Sequence, residues 1–332
     1  MDNRMLRTKY MRVIMTLIVA AVSAGLYLIG VSHYRNQSYP HHLLNPGPTR
    51  RNSGSTDRLS DQDEKPLFHP VTGKIYYQNK VAVLTYHHLD SAESSVTITP
   101  QRFRSHLEAL KEYGFHVISM DDFVAFLEKK KPVPPNAVVI TFDDGYESVY
   151  KYAYPILKSE GMTATVFLIV GYIEDGAVHQ PLILNWKEIM EMHRAGFSFY
   201  SHSYRSHQDV KVNGIPTSPL VAKLYNPSAN RLETEGEYEA RIREDLSEAD
   251  DILDARLGNR INLLCFPHGR YNSTLVKIAR QSDIPYLFTG KEGLNTNRST
   301  LINRINAGSP YVSAQRLIGR LSAFTMTGHF SH

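Results

Sequence analysis

Two adjacent carboxylates, Asp143 and Asp144, stand in Thr141-Phe142-Asp143-Asp144-Gly145, directly behind the apolar β-branched run Ala137-Val138-Val139-Ile140. The run reads as a buried strand, and the glycine lets the backbone turn sharply behind it. Side chains alternate along a strand, so neighbouring aspartates point in different directions. One can hold a metal while the other stays free as a base. Asp-Asp-Gly by itself is more often just a turn. Further along, His202-Ser203-Tyr204-Arg205-Ser206-His207 places two imidazoles five positions apart after another strand-like run. That spacing does not share one face of a regular helix, so a loop must bring the rings together. Two histidines and one carboxylate, which Asp144 could supply, form a donor set for a catalytic divalent ion with open positions.

The elements around these residues must position them. Val81-Ala82-Val83-Leu84-Thr85-Tyr86 reads as a strand ending at His87-His88. Thr99-Pro100 opens a helix with an N-cap and an N1 proline, carrying Phe103, Leu107 and Leu110 inward until Gly114. Ser119 caps a second helix. A third covers 147–159 and is kinked by Pro155. Asn185 caps a helix starting at Trp186, and a long charged helix runs from Glu237 to Leu257, entered after Gly236. Helices are also expected over 273–282 and from Ser313. Strand-like runs lie at 163–170, 197–200, 261–266, 286–290 and 301–305, and residues 208–233 read as an irregular insertion. Alternating strands and helices predict parallel βα units. His87, Asp143, Asp144, His202 and His268 all fall just after strand ends, which in a β/α barrel share one face.

With 332 residues the chain suffices for one large domain plus a tail, and its 42% apolar and 21% charged residues are an ordinary globular balance. A net charge of +4, without an Arg/Lys run interleaved with aromatics, argues against nucleic acid as a partner. The single cysteine, Cys265, excludes an internal disulfide and a Cys-rich zinc site. Residues 1–12 carry Arg4, Arg7, Lys9 and Arg12, and the 19 residues from Val13 to Val31 hold no charge. That segment, within 1–32, reads as a membrane anchor with the N-terminus in the cytoplasm, or as a signal peptide cut near Val22-Ser23-Ala24. Either places the main domain outside the cytoplasm, at the cell membrane or secreted. Residues 33–76, with Pro40, Pro46, Pro48 and Ser53-Gly54-Ser55, read as a flexible linker that includes His41-His42. The catalytic domain is then 77–332.

Together the motifs resemble those of the polysaccharide deacetylases, the NodB-homology group of carbohydrate esterases. Thr141-Phe142-Asp143-Asp144-Gly145 resembles their first motif, His202-Ser203-Tyr204-Arg205-Ser206-His207 their second, and Phe266-Pro267-His268-Gly269-Arg270-Tyr271-Asn272 their third. The resemblance spans about residues 80–310 and implies a distorted, partly open (β/α) barrel. The five-residue histidine spacing and the early Tyr86-His87 are similar to the branch that N-deacetylates poly-β-1,6-N-acetylglucosamine. That resemblance implies a metal-dependent hydrolase acting on a cell-surface N-acetylglucosamine polysaccharide, tethered to the membrane by the N-terminal segment, with peptidoglycan or chitin oligomers as the alternative substrate. A xylan esterase or a silent glycan-binding protein would be further options. It also implies Asp144, His202 and His207 as metal ligands, Asp143 as general base, His87 as general acid and a backbone N–H near His268 for the oxyanion. Zinc suits the donor set, and cobalt, nickel or iron would also fit. His268 stands where the family has Tyr, and the Arg that the family has a few residues before that Pro is absent from Asn262-Leu263-Leu264-Cys265. Arg304 is a candidate to orient Asp143 or line the substrate site. His268, Tyr271 and Trp186 are the other substrate-binding candidates, and His88 competes with His87.

Overall fold

The computed structural model describes residues 73–212 and 214–324. The N-terminal segment over 1–32, the linker as far as residue 72 and His41-His42 lie outside the described residues. Among those described, no helix is long and apolar enough to cross a membrane.

The β-branched apolar runs form the strands of a barrel-shaped sheet: β1 (Val81–Tyr86), β2 (Ala137–Phe142), β3 (Thr165–Leu168), β4 (Ser198–Ser201), β5 (Leu263–Cys265), β6 (Tyr286–Phe288), β7 (Leu301–Ile302) and β8 (Ile305–Asn306). Neighbours from β1 to β7 pair in parallel in that order, and β8 pairs in parallel with β1. His116–Val117 and Leu294–Asn295 complete a ten-stranded sheet, the second as an antiparallel edge on β1. Between strands run α1 (Pro100–Glu112), α2 (Met120–Leu127), α3 (Tyr154–Ser159), α4 (Val170–Glu174), α5 (Trp186–Arg194), α6 (Glu235–Leu257) and α7 (Ser273–Gln281), and α8 (Ala314–Ala323) follows β8. The mixed α/β barrel agrees with the expected fold class.

Alternation along the strands separates two apolar layers. Val81, Val83, Ala137, Val139, Tyr200 and Cys265 share one cluster with Met120 and Phe123 of α2. Leu84, Tyr86, Ile140, Phe142 and Phe199 belong to the other, with Phe103 of α1 and Leu317 of α8. Each fully buried Phe or Leu of this kind contributes roughly 1.5–3 kcal/mol relative to exposure. The inward register of β1 and β2 carries on past the strand ends to His87 and Asp143, whereas His88 follows the outward one.

Several elements differ from their expected bounds. The long helix starts at Glu235, because Thr234 caps it and Glu237 reaches back to the Thr234 N–H, so Gly236 lies inside the first turn. The segment 147–159 opens as a π-turn over Val149–Ala153 and becomes α at Tyr154, since Pro155 has no N–H to continue the regular ladder. The insertion at 208–233 holds two short hairpins, Val210–Val212 with Ile215–Thr217 and Tyr225–Asn226 with Arg231–Leu232. Packing also reaches back to Tyr76, whose ring stacks on Phe115 at 5.1 Å.

The run at 301–305 splits because it crosses the barrel's seam. Residues up to Ile302 pair with β6, and from Ile305 the chain pairs with β1. Asn303 and Arg304 span the step. Buried Asn295 clasps it: its Nδ2 donates to the Asn303 carbonyl at 2.9 Å and the Val81 carbonyl at 3.3 Å, and its Oδ1 accepts from the Asn303 N–H at 2.8 Å. Asn295→Ala is therefore expected to lower stability by about 1–3 kcal/mol, since it strands buried backbone groups. Urea denaturation checks this; an unchanged midpoint would mean that the seam is held elsewhere.

Candidate active site

The strand ends converge at the C-terminal mouth of the barrel. Asp143 continues β2 inward and is buried, and its N–H still donates to the Tyr86 carbonyl at 2.9 Å. The backbone then reverses through left-handed residues, Asp144 at φ 71° and Gly145 at φ 77°. The turn favours glycine through its φ, and a Cβ on Gly145, 2.8 Å from Leu168 Cδ2, would also make that side chain shift. The reversal sends Asp144 away from Asp143 and toward the loop after β4.

Asp143 belongs to a buried ion pair. Arg304 Nη1 donates to its Oδ1 at 2.8 Å, and Arg304 Nε donates to the Thr289 carbonyl at 2.9 Å. The Cys265 thiol lies 3.6 Å from both carboxylate oxygens. Burial pushes the Asp143 carboxyl up, but Arg304, His202 and His87 outweigh it and hold the group below its ordinary value. Asp143 is thus an ionised carboxylate with one oxygen clamped and the other, Oδ2, facing His87 Nε2 at 3.8 Å. The Nδ1 of His87 is buried and without a hydrogen-bond partner.

Asp144, His202 and His207 each offer one ligand atom, all within 4.8 Å of one another. His202 Nδ1 lies 2.8 Å from the Cys265 carbonyl. A carbonyl only accepts, so the proton sits on Nδ1 and the Nε2 lone pair is left free. That Nε2 is 3.4 Å from Asp144 Oδ1, and His207 Nε2 is 3.0 Å from the same oxygen. Yet Oδ1 is buried with no hydrogen-bond partner, so these are convergent donor atoms rather than a hydrogen-bonded cluster. The chemistry of the set fits a divalent cation with open positions.

A second grouping, Asp143 with His202 and Cys265, fits less well. Asp143 is committed to Arg304, and burial pushes the Cys265 thiol up, away from the thiolate that binds metals.

The other sequence candidates fall in different places. His268, itself left-handed at φ 56°, donates from Nε2 to the His207 carbonyl at 2.9 Å, its ring 4.6 Å from that of His207. Tyr271 is exposed and stacks on Phe266 at 5.1 Å. Trp186 donates to Glu174 Oε1 at 2.6 Å beneath the Arg256 guanidinium, among residues apart from the metal set. Arg304, a candidate for the substrate surface, is instead buried beneath Asp143 and in its orienting role. His88 turns outward, its Nδ1 2.8 Å from Ser148 Oγ and its ring 4.9 Å from Tyr146. Sequence reasoning missed the contact of Cys265 with Asp143; the inward register of Leu263 and Cys265 was the available signal.

Arg304→Ala should cost about 3–5 kcal/mol at pH 7, because the buried carboxylate loses its partner. A depressed carboxyl stabilises the fold above its unfolded value near about pH 3.9 and loses that contribution as pH falls through the folded value. The gap between wild type and variant should therefore narrow below about pH 4. Urea midpoints at both acidities check this, and a gap that widens on acidification would contradict the pairing.

With this geometry in place, residues 130–287 match the family model described as polysaccharide deacetylase. A poly-β-1,6-N-acetyl-D-glucosamine N-deacetylase from Staphylococcus aureus strain MRSA252 is 25% identical over 240 residues, covering 68% of this chain and 77% of that protein. Among solved structures, the BpsB deacetylase domain from Bordetella bronchiseptica is 25% identical at TM-score 0.61, covering 68% of this chain and 95% of that one. A de-N-acetylase from Aggregatibacter actinomycetemcomitans has the same fold at TM-score 0.65 and 24% identity, covering 73% and 99% of the two chains.

Proposed function

Because this chain carries a polysaccharide deacetylase domain, we propose that it hydrolyses the N-acetyl groups of poly-β-1,6-N-acetylglucosamine, releasing acetate. The observation that carries the reading is the division of the two aspartates: Asp143 is clamped by Arg304 while Asp144 faces two imidazole nitrogens. The choice of glycan rests on the name of the S. aureus relative and the five-residue histidine spacing.

Asp144, His202 and His207 would hold a divalent ion, zinc in the first instance, with cobalt, nickel or iron also suited to the donors. Its contribution would be Lewis acidity that lowers the pKa of a water and polarises the acetamide carbonyl. The remaining work falls to side chains of this protein. Asp143 takes the water's proton as general base, through Oδ2, because Oδ1 is held by Arg304. His87, facing Oδ2, protonates the departing amine as general acid. A backbone N–H near His268 would receive developing oxyanion charge. Bonds and protons balance: the water oxygen bonds to the acetyl carbon, the C–N bond breaks, acetate leaves, and the two protons of the water end in net on the sugar nitrogen, which becomes a cationic amine.

The charge-free run from Val13 to Val31 and its basic flank support a membrane tether with this domain outside the cytoplasm.

Acetate release by the full chain tests the reading, with β-1,6-linked N-acetylglucosamine oligomers beside chitin oligomers and peptidoglycan fragments. Release from the β-1,6 oligomers, abolished by a chelator and restored by zinc, is expected. Asp143→Asn and His87→Ala should each lower the rate by about 10²–10⁴-fold. Release from peptidoglycan alone would move the substrate while keeping the chemistry. No release from any glycan by metal-loaded protein would overturn the proposal.

A further inference from the structure

We propose that Asp245, in the middle of α6, is a positioning residue that sets the spacing of His202 and His207; this rests on the metal-site reading above. The two histidines are joined by an irregular loop, so no helix or strand fixes the distance between their rings. The loop even passes through a left-handed serine, Ser203 at φ 92°. Something outside it must hold that shape.

Asp245 is buried and places both carboxylate oxygens on the loop. Oδ1 accepts from the Tyr204 N–H at 3.0 Å, and Oδ2 accepts from the Arg205 N–H at 2.9 Å and the Ser206 hydroxyl at 2.8 Å. Three consecutive residues between the histidines thus converge on one side chain. Its place on the helix is informative too. Ile242, Leu246, Ala249 and Leu253 form the buried stripe of α6, and Asp245 stands three after Ile242 and four before Ala249. Packing alone would be served by an apolar residue there, because a buried carboxylate costs free energy unless hydrogen bonds compensate it. Here they are supplied by the loop.

The loop's opposite side is fixed from α4. Val170 N–H donates to the Ser203 carbonyl at 3.1 Å, and Gly171 N–H to the Tyr204 carbonyl at 2.9 Å. A Cβ on Gly171 would lie 2.6 Å from that carbonyl oxygen, so α4 and the loop approach as closely as glycine permits. Held between α4 and α6, the loop has little freedom to change the histidine separation. Partners behind the ligands typically alter metal affinity by about 10–100-fold when removed.

The test is zinc affinity of the full chain, measured by competition with a chromophoric chelator. Asp245→Asn keeps the size but turns one acceptor into a donor facing donors, and a fall of about 10–100-fold is expected. Acetate release should then fall at limiting zinc and recover in excess zinc, with KM for the glycan unchanged. Ser206→Ala, which removes one of the three bonds, should show a smaller loss in the same direction, and decides the matter if the first variant does not fold. A variant with lower stability but wild-type zinc affinity would make Asp245 a structural residue only and overturn the inference. Wild-type protein that binds no divalent ion would instead overturn the metal-site reading, a distinguishable failure.

Discussion

Two carboxylates stand side by side in the wall of this barrel, and both are buried. Like charges so placed cannot both ionise in a low-dielectric interior unless each has its own compensating charge. The fold meets that demand by sending them apart. Asp143 keeps the strand register and meets Arg304 inside the barrel; Asp144 takes a left-handed turn and faces two imidazole nitrogens, a donor set that fits the charge of a divalent cation. The rest of the site follows from this division. One carboxylate is left ionised with an oxygen facing His87, and the other is left with an oxygen that no hydrogen bond satisfies.

Arg304 ties this chemistry to the closing of the sheet. It lies in the two-residue step between β7 and β8, where the chain leaves one edge of the barrel and pairs with the other. The guanidinium is therefore delivered by the same step that completes the sheet, and its Nε is anchored on the Thr289 carbonyl just beyond β6. Barrel closure and the ionisation of Asp143 are in this sense one event. His87 and Arg304 both lie outside the span 130–287 that matches the family model, one before it and one after. They enter the site because β1 and β8 pair with each other.

Much of the frame was legible along the chain. Apolar β-branched runs marked β1 to the residue and the start of β2, and Thr99, Ser119 and Asn185 marked helix starts, because strand burial and N-capping act over a few neighbouring residues. The Thr234–Glu237 capping box carries the same kind of signal and starts the helix at Glu235, ahead of the start expected after Gly236. Edge pieces such as Leu294–Asn295 were not legible, since two residues have no period to read and pair only because β1 is there to receive them.

The sequence by itself determined the donor types and their order: an Asp-Asp pair after a strand, two histidines five apart, and a histidine after the first strand. Residue type and alternation are local properties, and they suffice to say that one aspartate is free when the other binds. Only the tertiary structure decided what surrounds them. Arg304 lies 161 positions from Asp143, Cys265 lies 122 from it, and Asp245 lies about 40 from the loop it holds. No pattern of spacing reports such partners, because they are set by which strands meet across the seam and which helix face turns toward the loop.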